Sequence, residues 1–172
     1  MKLVFLHGAG SSSLSFYYQL RHFRNSKAID LPGHPTGKAC ESIEGYLEWV
    51  RGFNTARRYK DVILCGHSMG GAIAQLYALR YPDELKGIIL IGTGARLRVR
   101  TDIMDEVSNI HLPTQVVCGS DDEMTPVKYS DYLGSQISEA DVQVIPGGTH
   151  YVQLEKYQKV NEQIERFLGS LK

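Results

Sequence analysis

The stretch Val62-Ile63-Leu64-Cys65-Gly66-His67-Ser68-Met69-Gly70-Gly71 decides the fold of this chain. Its first four residues form an apolar run that predicts a buried strand. After the serine, apolar side chains recur at helical spacing until Tyr81-Pro82, which predicts a helix. Between strand and helix, Gly66, Ser68 and Gly70 form a Gly-x-Ser-x-Gly pattern, which predicts a sharp turn that exposes the serine hydroxyl. The two glycines suit this turn because its backbone segments approach too closely for a Cβ atom.

The charge balance of the chain argues against several classes of partner. Its 172 residues include 19 basic and 19 acidic side chains, and 42% of the residues are hydrophobic. This composition is typical of one soluble globular domain, and it favours neither nucleic acid nor an anionic membrane as a partner. The small basic cluster of Arg96, Arg98 and Arg100 is interpreted as a solvated loop. No stretch of the sequence reaches the ~20 apolar residues of a membrane span.

The N-terminus and the cysteines bear on the location of the protein. The apolar run Met1–Leu6 is too short for a signal peptide and predicts a strand instead. Cys40, Cys65 and Cys118 are an odd number of cysteines without C-x-x-C spacing. This pattern favours reduced thiols over a disulfide scaffold or a metal site. We therefore expect a cytoplasmic protein without a bound metal ion.

Short apolar runs alternate with amphipathic stretches along the whole chain. The predicted strands are Leu3–Leu6, Lys27–Ile29, Val62–Cys65, Gly87–Ile91, Thr114–Cys118 and Val142–Ile145. The predicted helices are Ser15–Phe23, Ser42–Thr55, Met69–Tyr81, Val127–Ser138 and Val152–Leu168. Strands that are apolar on both faces are typical of parallel sheets. The pattern therefore predicts one α/β domain over residues 1–172, with a doubly wound, mostly parallel sheet of about six strands and helices on both faces.

A serine hydroxyl needs a neighbouring base, because it is a poor nucleophile until its proton is removed. Of the six histidines, His150 is preferred for this role because it follows the last predicted strand. In open α/β sheets, ligand-binding and catalytic groups gather beyond the carboxyl ends of the strands. The remaining histidines lie in turns or lack a special context. The sequence thus predicts that Ser68 and His150 act together.

A carboxylate is expected to orient that histidine. Asp122 is preferred because Gly119 and Pro126 bracket it in a tight turn, and Asp121 is the alternative. A purely structural explanation remains open for these carboxylates, namely an acidic turn or a helix cap with Thr125. The chain order of serine, aspartate and histidine differs from that of chymotrypsin-type and subtilisin-type enzymes.

A developing oxyanion requires backbone N–H donors that are already aimed at it. Met69, which follows the serine at a helix N-terminus, is one expected donor. Ala9, in the glycine-containing turn after the first strand, is the other. Gly8 and His67 adjoin these two donors and are expected to contact the substrate. The alternative for residues 7–10 is a phosphate-binding turn, but the third glycine or the Gly-Lys-Ser/Thr of such turns is missing.

With these motifs the chain resembles the α/β-hydrolase superfamily, in its serine esterase and lipase-like branch. The resemblance covers nearly the whole chain and rests on His7–Gly10, Asp30–His34, Gly66–Gly71, Gly119–Asp122 with Pro126, and Gly147–His150. It implies a triad of Ser68, Asp122 and His150 that cleaves esters through an acyl-enzyme without a cofactor. Asp30–His34 looks like the structural loop that follows the second strand and is given no catalytic role.

The chain departs from the family pattern at several places. Two strands that usually precede the strand leading into His7-Gly8 are missing. The helical cap is reduced to about residues 92–113, with room for a loop and one helix at Asp102–Val107. Thr149 replaces a usual glycine and Tyr157 a frequent proline. A trimmed or designed core and a naturally minimal hydrolase explain the missing segments equally well.

The reduced cap has consequences for the expected substrate. Without a cap, Ser68 should lie in an open cleft that binds small or short-chain esters weakly. The uncovered apolar face could also support a homodimer or bind lipid-like molecules. Two other classes remain open: a non-catalytic protein that binds a small molecule on a hydrolase scaffold, and a folded but inactive core.

Overall fold

The computed structural model describes residues 1–95 and 103–171 and contains a six-stranded sheet. The strands are Lys2–Leu6 (β1), Ser26–Ile29 (β2), Val62–His67 (β3), Leu85–Ile91 (β4), Thr114–Gly119 (β5) and Ala140–Ile145 (β6). They lie in the order β2-β1-β3-β4-β5-β6, and all five pairings are parallel. The predicted strands and the predicted α/β class are therefore confirmed, with strand ends that differ by up to two residues.

The helices cover both faces of this sheet. They are Tyr17–His22 (α1), Ile43–Ala56 (α2), Met69–Arg80 (α3), Val127–Gln136 (α4), Val152–Glu155 (α5) and Tyr157–Ser170 (α6). One apolar cluster packs α2, α3 and α4 against the sheet, and a second one packs α6 against the opposite face. The central strands are buried on both sides, which explains their nearly continuous apolar sequences.

The strand order creates a topological switch point between β1 and β3. The chain runs from β1 outward to β2 and then returns to the other side of β1 to form β3. In open parallel sheets, ligands bind beyond the carboxyl ends of the strands at such a point. Residues 7–10 follow β1 and Ser68 follows β3, so the fold itself brings these two predicted site segments together.

Several expectations for the helices are wrong in detail. The expected helix Asp102–Val107 is absent from residues 103–107, and a short 3-10 turn spans Val107–Asn109 instead. The expected helix Val152–Leu168 is interrupted at Lys156, which adopts non-helical backbone angles (φ −120°, ψ 37°). The last helix also extends beyond the expected end at Leu168, through Gly169 to Ser170.

Two further features concern the remaining regions of the chain. The arginine cluster at positions 96, 98 and 100 lies outside the described residues, as does residue 102 of the expected cap helix. Within the part of the chain that the structure describes, no helix is both long enough and apolar enough to span a membrane.

Candidate active site

Ser68 occupies a strained turn between β3 and α3. Its backbone angles are φ 51° and ψ −115°, a combination that residues with a side chain rarely adopt. Two hydrogen bonds to the end of β4 and the residues after it fix this turn. The Ser68 N–H donates to the carbonyl of Ile91 (3.0 Å), and the Thr93 hydroxyl donates to the Ser68 carbonyl (2.8 Å). The Ser68 side chain remains partly accessible. The predicted elbow is therefore present in the fold.

The glycines of the motif are needed for close backbone approach. A Cβ atom on residue 66 would lie 2.1 Å from the carbonyl oxygen of Gly70. A Cβ atom on residue 70 would lie 2.1 Å from the carbonyl oxygen of Leu6, at the end of β1. Real Cβ atoms do not come this close to backbone, so both positions exclude every other residue type.

The structure places His150 against Asp122. His150 Nδ1 lies 2.9 Å from Asp122 Oδ2, and the two side chains are only 7% and 0% exposed. Asp121, the alternative carboxylate, is exposed and accepts a hydrogen bond from the Ser120 hydroxyl instead (2.7 Å). An aspartate at Nδ1 leaves Nε2 of the same ring as the nitrogen that can accept a proton.

Thr125 is a member of this cluster that the sequence analysis did not assign to the site. Its hydroxyl donates to Asp122 Oδ2 (2.7 Å), and the N–H groups of Met124 and Thr125 donate to Asp122 Oδ1 (2.9 and 2.8 Å). Burial alone would raise the pKa of Asp122, but the hydrogen bonds from Thr125 and His150 lower it below its usual value. Asp122 therefore holds the turn with Thr125 and also contacts His150. The structural explanation and the site explanation for this carboxylate do not exclude each other.

Glu155 holds the loop that carries His150. Its carboxylate accepts hydrogen bonds from the Thr149 N–H (3.0 Å) and the Thr149 hydroxyl (2.7 Å). Thr149 is the residue at which the sequence departs from the family's usual glycine. Its side-chain hydroxyl has a structural role here, because it binds the Glu155 carboxylate. Spacing alone did not reveal the contact, because Glu155 lies in a separate short helix.

The two expected oxyanion donors lie in the segments that meet at the switch point. Ala9 is exposed in the turn after β1, and Met69 is the first residue of α3. Among the hydrogen bonds between described residues, none uses the N–H of Ala9 or Met69. Both donors are therefore available for a ligand. In the described part of the chain, the hydrogen bonds of the His150 ring go to Asp122 and Thr125, and none joins it to the Ser68 hydroxyl.

Gly8 and His67, the expected substrate contacts, are both buried. A Cβ atom on residue 8 would lie 3.2 Å from Ser68 Cβ and 3.2 Å from His67 Nδ1, so a side chain there would crowd the nucleophile. His67 is 1% exposed, and its Nε2 donates to the backbone carbonyl of His150 (2.8 Å). This burial does not fit direct substrate contact and instead gives His67 a supporting position beneath His150.

The protonation of His67 follows from the same surroundings. Burial, together with the neighbouring His150, lowers the pKa of His67 to about 4. His67 is therefore a neutral ring at neutral pH, with Nε2 protonated and Nδ1 without a partner among the described residues.

As for metals, the described residues contain no group of three or more His, Cys, Asp or Glu side chains that could hold an ion.

The chain belongs to the alpha/beta hydrolase family, whose sequence model matches residues 3–111. It is 34% identical over 96 residues to a protein named putative esterase/lipase 2 of Mycoplasma pneumoniae, covering 51% of this chain and 36% of that protein. It is 30% identical over 136 residues to a probable serine hydrolase of Drosophila melanogaster, covering 69% and 40%. The chain thus spans well under half the length of these curated relatives.

A solved structure shows the same fold. A thermophilic esterase from Thermogutta terrifontis (malate bound) superposes with a TM-score of 0.89, over 99% of this chain and 90% of that chain. The sequences are 19% identical, so this likeness concerns the fold alone.

Proposed function

We propose that the protein is a serine hydrolase, and more specifically a carboxylesterase that cleaves small or short-chain esters. The observation that carries the proposal is the buried hydrogen bond of 2.9 Å between His150 and Asp122, at the same sheet edge as the strained turn of Ser68. Relatives that are named as an esterase/lipase and as a serine hydrolase support the same class of reaction.

In this proposal, Ser68 Oγ attacks the ester carbonyl while His150 Nε2 accepts the hydroxyl proton. Asp122 holds the ring through Nδ1 and stabilises the imidazolium that forms. The oxyanion accepts hydrogen bonds from the N–H groups of Ala9 and Met69. The alcohol then leaves with the proton from His150, and an acyl group remains on Ser68. Water, which gives a proton to His150, then attacks this acyl group. His150 passes the proton to Ser68 Oγ as the acyl–oxygen bond breaks, so the carboxylic acid is released and the serine hydroxyl is restored.

The proposed preference for small or short-chain esters rests on the exposure of apolar side chains that follow proposed site residues in the chain. Leu14, Met124 and Tyr151 are 72%, 67% and 45% exposed, and each lies a few residues beyond a proposed catalytic or oxyanion residue. The Tyr151 ring centroid lies 5.5 Å from that of His150. Exposed apolar side chains offer little buried area, so we expect weak binding and high KM values.

Turnover of p-nitrophenyl acetate, butyrate and decanoate tests this proposal. The wild-type protein should hydrolyse the two short esters with higher kcat/KM than the decanoate, with a burst of p-nitrophenol under pre-steady-state conditions. Ser68→Ala should abolish both the burst and the turnover. Ser108→Ala, at an exposed serine in the 3-10 turn, is the matched control and should retain full activity. A folded wild-type protein that cleaves none of the three esters would contradict the proposal.

We also propose that the same exposed apolar side chains support a homodimer. Leu14, Met124 and Tyr151 are 72%, 67% and 45% exposed, and a second copy of the chain would remove this apolar area from water. Sedimentation velocity over a range of concentrations should show a dimer, and Leu14→Asp should shift it to monomer. A wild-type protein that remains monomeric at the highest concentration would contradict this proposal.

A further inference from the structure

His34 is hydrogen-bonded to the turn that carries the proposed oxyanion donor Ala9. The Gly10 N–H donates to His34 Nδ1 at 3.0 Å, and His34 Nε2 lies 3.2 Å from the Tyr46 hydroxyl. The Tyr46 hydroxyl in turn lies 3.1 Å from the carbonyl oxygen of Pro32. His34 thus connects the turn after β1 with the N-terminal part of α2.

The donor and acceptor properties of these groups determine where each proton lies in this series of hydrogen bonds. A backbone N–H can only donate, so His34 Nδ1 must be unprotonated and the ring proton must lie on Nε2. Nε2–H therefore donates to the Tyr46 oxygen, and the Tyr46 O–H donates to the Pro32 carbonyl, which can only accept. Burial raises the pKa of Tyr46, so this hydroxyl keeps its proton.

Both peptide planes next to Ala9 are held by imidazole rings. His7 Nδ1 donates to the Gly8 carbonyl (2.8 Å), while His7 Nε2 accepts from the Leu31 N–H (3.0 Å). The Gly8 carbonyl and the Ala9 N–H belong to one trans peptide and point in opposite directions. The next peptide, between Ala9 and Gly10, is held by His34 at its N–H. The Ala9 N–H lies in the plane whose Gly8 carbonyl accepts from His7 and from the Ser11 N–H (3.2 Å). His34 holds the following plane, so the contacts together restrain rotation on both sides of Ala9 and thereby the direction of its N–H.

The segment Asp30–His34 makes three such contacts with the chain after β1. Besides the bonds at His7 and Gly10, the Asp30 carboxylate accepts from the Ser13 N–H (2.7 Å). The sequence analysis gave this segment no catalytic role, yet its polar groups meet the turn on both sides of Ala9. Its contribution extends beyond the burial of Leu31 in the core.

We propose that His34 is a positioning residue that aims the Ala9 N–H at the oxyanion, with Tyr46 holding its ring. The inference rests on the proposed serine hydrolase function. It requires that loss of the Nδ1 acceptor lowers transition-state stabilisation more than substrate binding. It also requires that the Gly10 amide is protected by His34 whether or not the protein turns over an ester.

Substitutions at position 34 separate positioning from folding. In His34→Asn, the side-chain oxygen can replace Nδ1 as the acceptor for Gly10, whereas His34→Ala has no acceptor. His34→Ala should lower kcat by about 10- to 100-fold, while KM should change less than about threefold. This fall in kcat does not exceed the fall expected from losing one oxyanion donor. His34→Asn should recover most of this loss. His111→Ala, at an exposed histidine, is the matched control and should change neither constant.

A boronic acid inhibitor provides a second kinetic readout. Addition of Ser68 Oγ to boron gives a tetrahedral anion whose oxygen lies where the oxyanion forms. Affinity for a short alkylboronic acid should fall in His34→Ala in parallel with kcat and return in His34→Asn. Equal losses in both variants, or a loss that follows a fall in Tm, would overturn the positioning role in favour of general destabilisation.

Amide hydrogen exchange tests the inference without any turnover. By NMR, the Gly10 amide should exchange at least about tenfold faster in His34→Ala than in the wild type and return toward the wild-type rate in His34→Asn. An inactive wild-type protein with this exchange pattern would refute the hydrolase proposal but retain the His34 contact. Unchanged Gly10 exchange and unchanged kcat in His34→Ala would overturn the inference itself.

Discussion

Asp122 accepts four hydrogen bonds within the described structure, from two backbone N–H groups, the Thr125 hydroxyl and His150. In Asp122→Asn one carboxylate oxygen becomes an NH2 group, which can only donate. With the remaining oxygen facing the two backbone N–H groups, the NH2 accepts from neither His150 nor the Thr125 hydroxyl and favours the wrong tautomer of the histidine. We expect kcat/KM for p-nitrophenyl acetate to fall by about 10³-fold or more.

Asp121→Asn is the matched control for this substitution, because Asp121 is the exposed neighbour of Asp122. It should leave kcat/KM within about twofold of the wild type, as expected for a surface substitution. A similar loss in both variants would contradict the assignment of Asp122 and restore Asp121 as the candidate carboxylate.

Thr125 stabilises the ionised form of Asp122 through its hydroxyl, at 2.7 Å. Thr125→Val keeps the shape of the side chain but removes this bond to a charged group, so the pKa of Asp122 should rise. The free energy of unfolding should fall by about 1.5–3 kcal/mol in urea titrations. Thr125→Ser retains the hydroxyl and should lose much less. Equal stability of the valine and serine variants would show that the bond contributes nothing.

At the scale of single residues, the sequence indicates a contact where the residue lies in a recognisable local pattern. Asp122 was chosen over Asp121 from the bracketing Gly119 and Pro126, and the structure places it against His150. For His34 the sequence predicts only a place in a structural loop, because its partner Gly10 is 24 residues away in the chain. Periodicity and spacing carry no information about such long-range hydrogen bonds.

At the level of the elements, the turn between β3 and α3 depends on glycines that cannot be replaced. Gly70→Ala would place a Cβ atom 2.1 Å from the Leu6 carbonyl and force β1 and α3 apart. We expect this variant to be destabilised by more than about 3 kcal/mol, as for other large backbone clashes. Thermal unfolding monitored by circular dichroism measures the change.

Gly52 is the matched control for that substitution. It lies within α2 and is exposed, and a Cβ atom on residue 52 would have no other atom within 4 Å. Gly52→Ala should therefore stabilise the protein by about 0.5–1 kcal/mol, because alanine loses less conformational entropy in a helix. If both alanine variants had the same Tm, the close approach at residue 70 would not limit the fold.

Strands were predicted better than helix ends, and the physical reason differs for the two. Buried parallel strands require apolar side chains at nearly every position, so they can be recognised as continuous apolar runs in the sequence. The break at Lys156 has no comparable pattern in the sequence. It adjoins Glu155, whose carboxylate binds Thr149, a residue that precedes the helix. The sequence predicts a helix end at Leu168, but α6 continues through Gly169 to Ser170, because a glycine also fits within the last turn of a helix.

For the whole molecule, the class of fold was predictable while the strand order was not. Alternation of strands and helices predicts a parallel sheet. It does not say that β3 returns to the other side of β1, which the structure shows. The family resemblance carried this information instead, since the family is defined by its topology as well as by its motifs.

The acid stability of the protein should depend on His67. Its pKa is about 4 in the folded protein, against the reference value of about 6.5 for an unfolded chain. Between these values the unfolded state binds more protons, so the free energy of unfolding should fall as the pH falls from 6.5 to 4. The contribution of this one group to the slope is about 1 kcal/mol per pH unit.

His67→Gln removes this titration, while the amide can still donate to the His150 carbonyl. Urea unfolding between pH 7 and pH 4 should show a shallower dependence on pH than in the wild type. The exposed His111→Gln is the matched control and should retain the wild-type slope. An unchanged slope in His67→Gln would mean that His67 is not held neutral by burial.

The most direct test of the hydrolase proposal is covalent labelling with a fluorophosphonate, followed by peptide mapping by mass spectrometry. Phosphonylation requires a serine that is activated by a base, so it reports on the assembled site without knowledge of the natural substrate. We expect one adduct, on Ser68, that is lost in Ser68→Ala and strongly slowed in His150→Gln. A folded protein that forms no adduct, or forms it at another serine, would contradict the proposal that Ser68, His150 and Asp122 act as a catalytic triad.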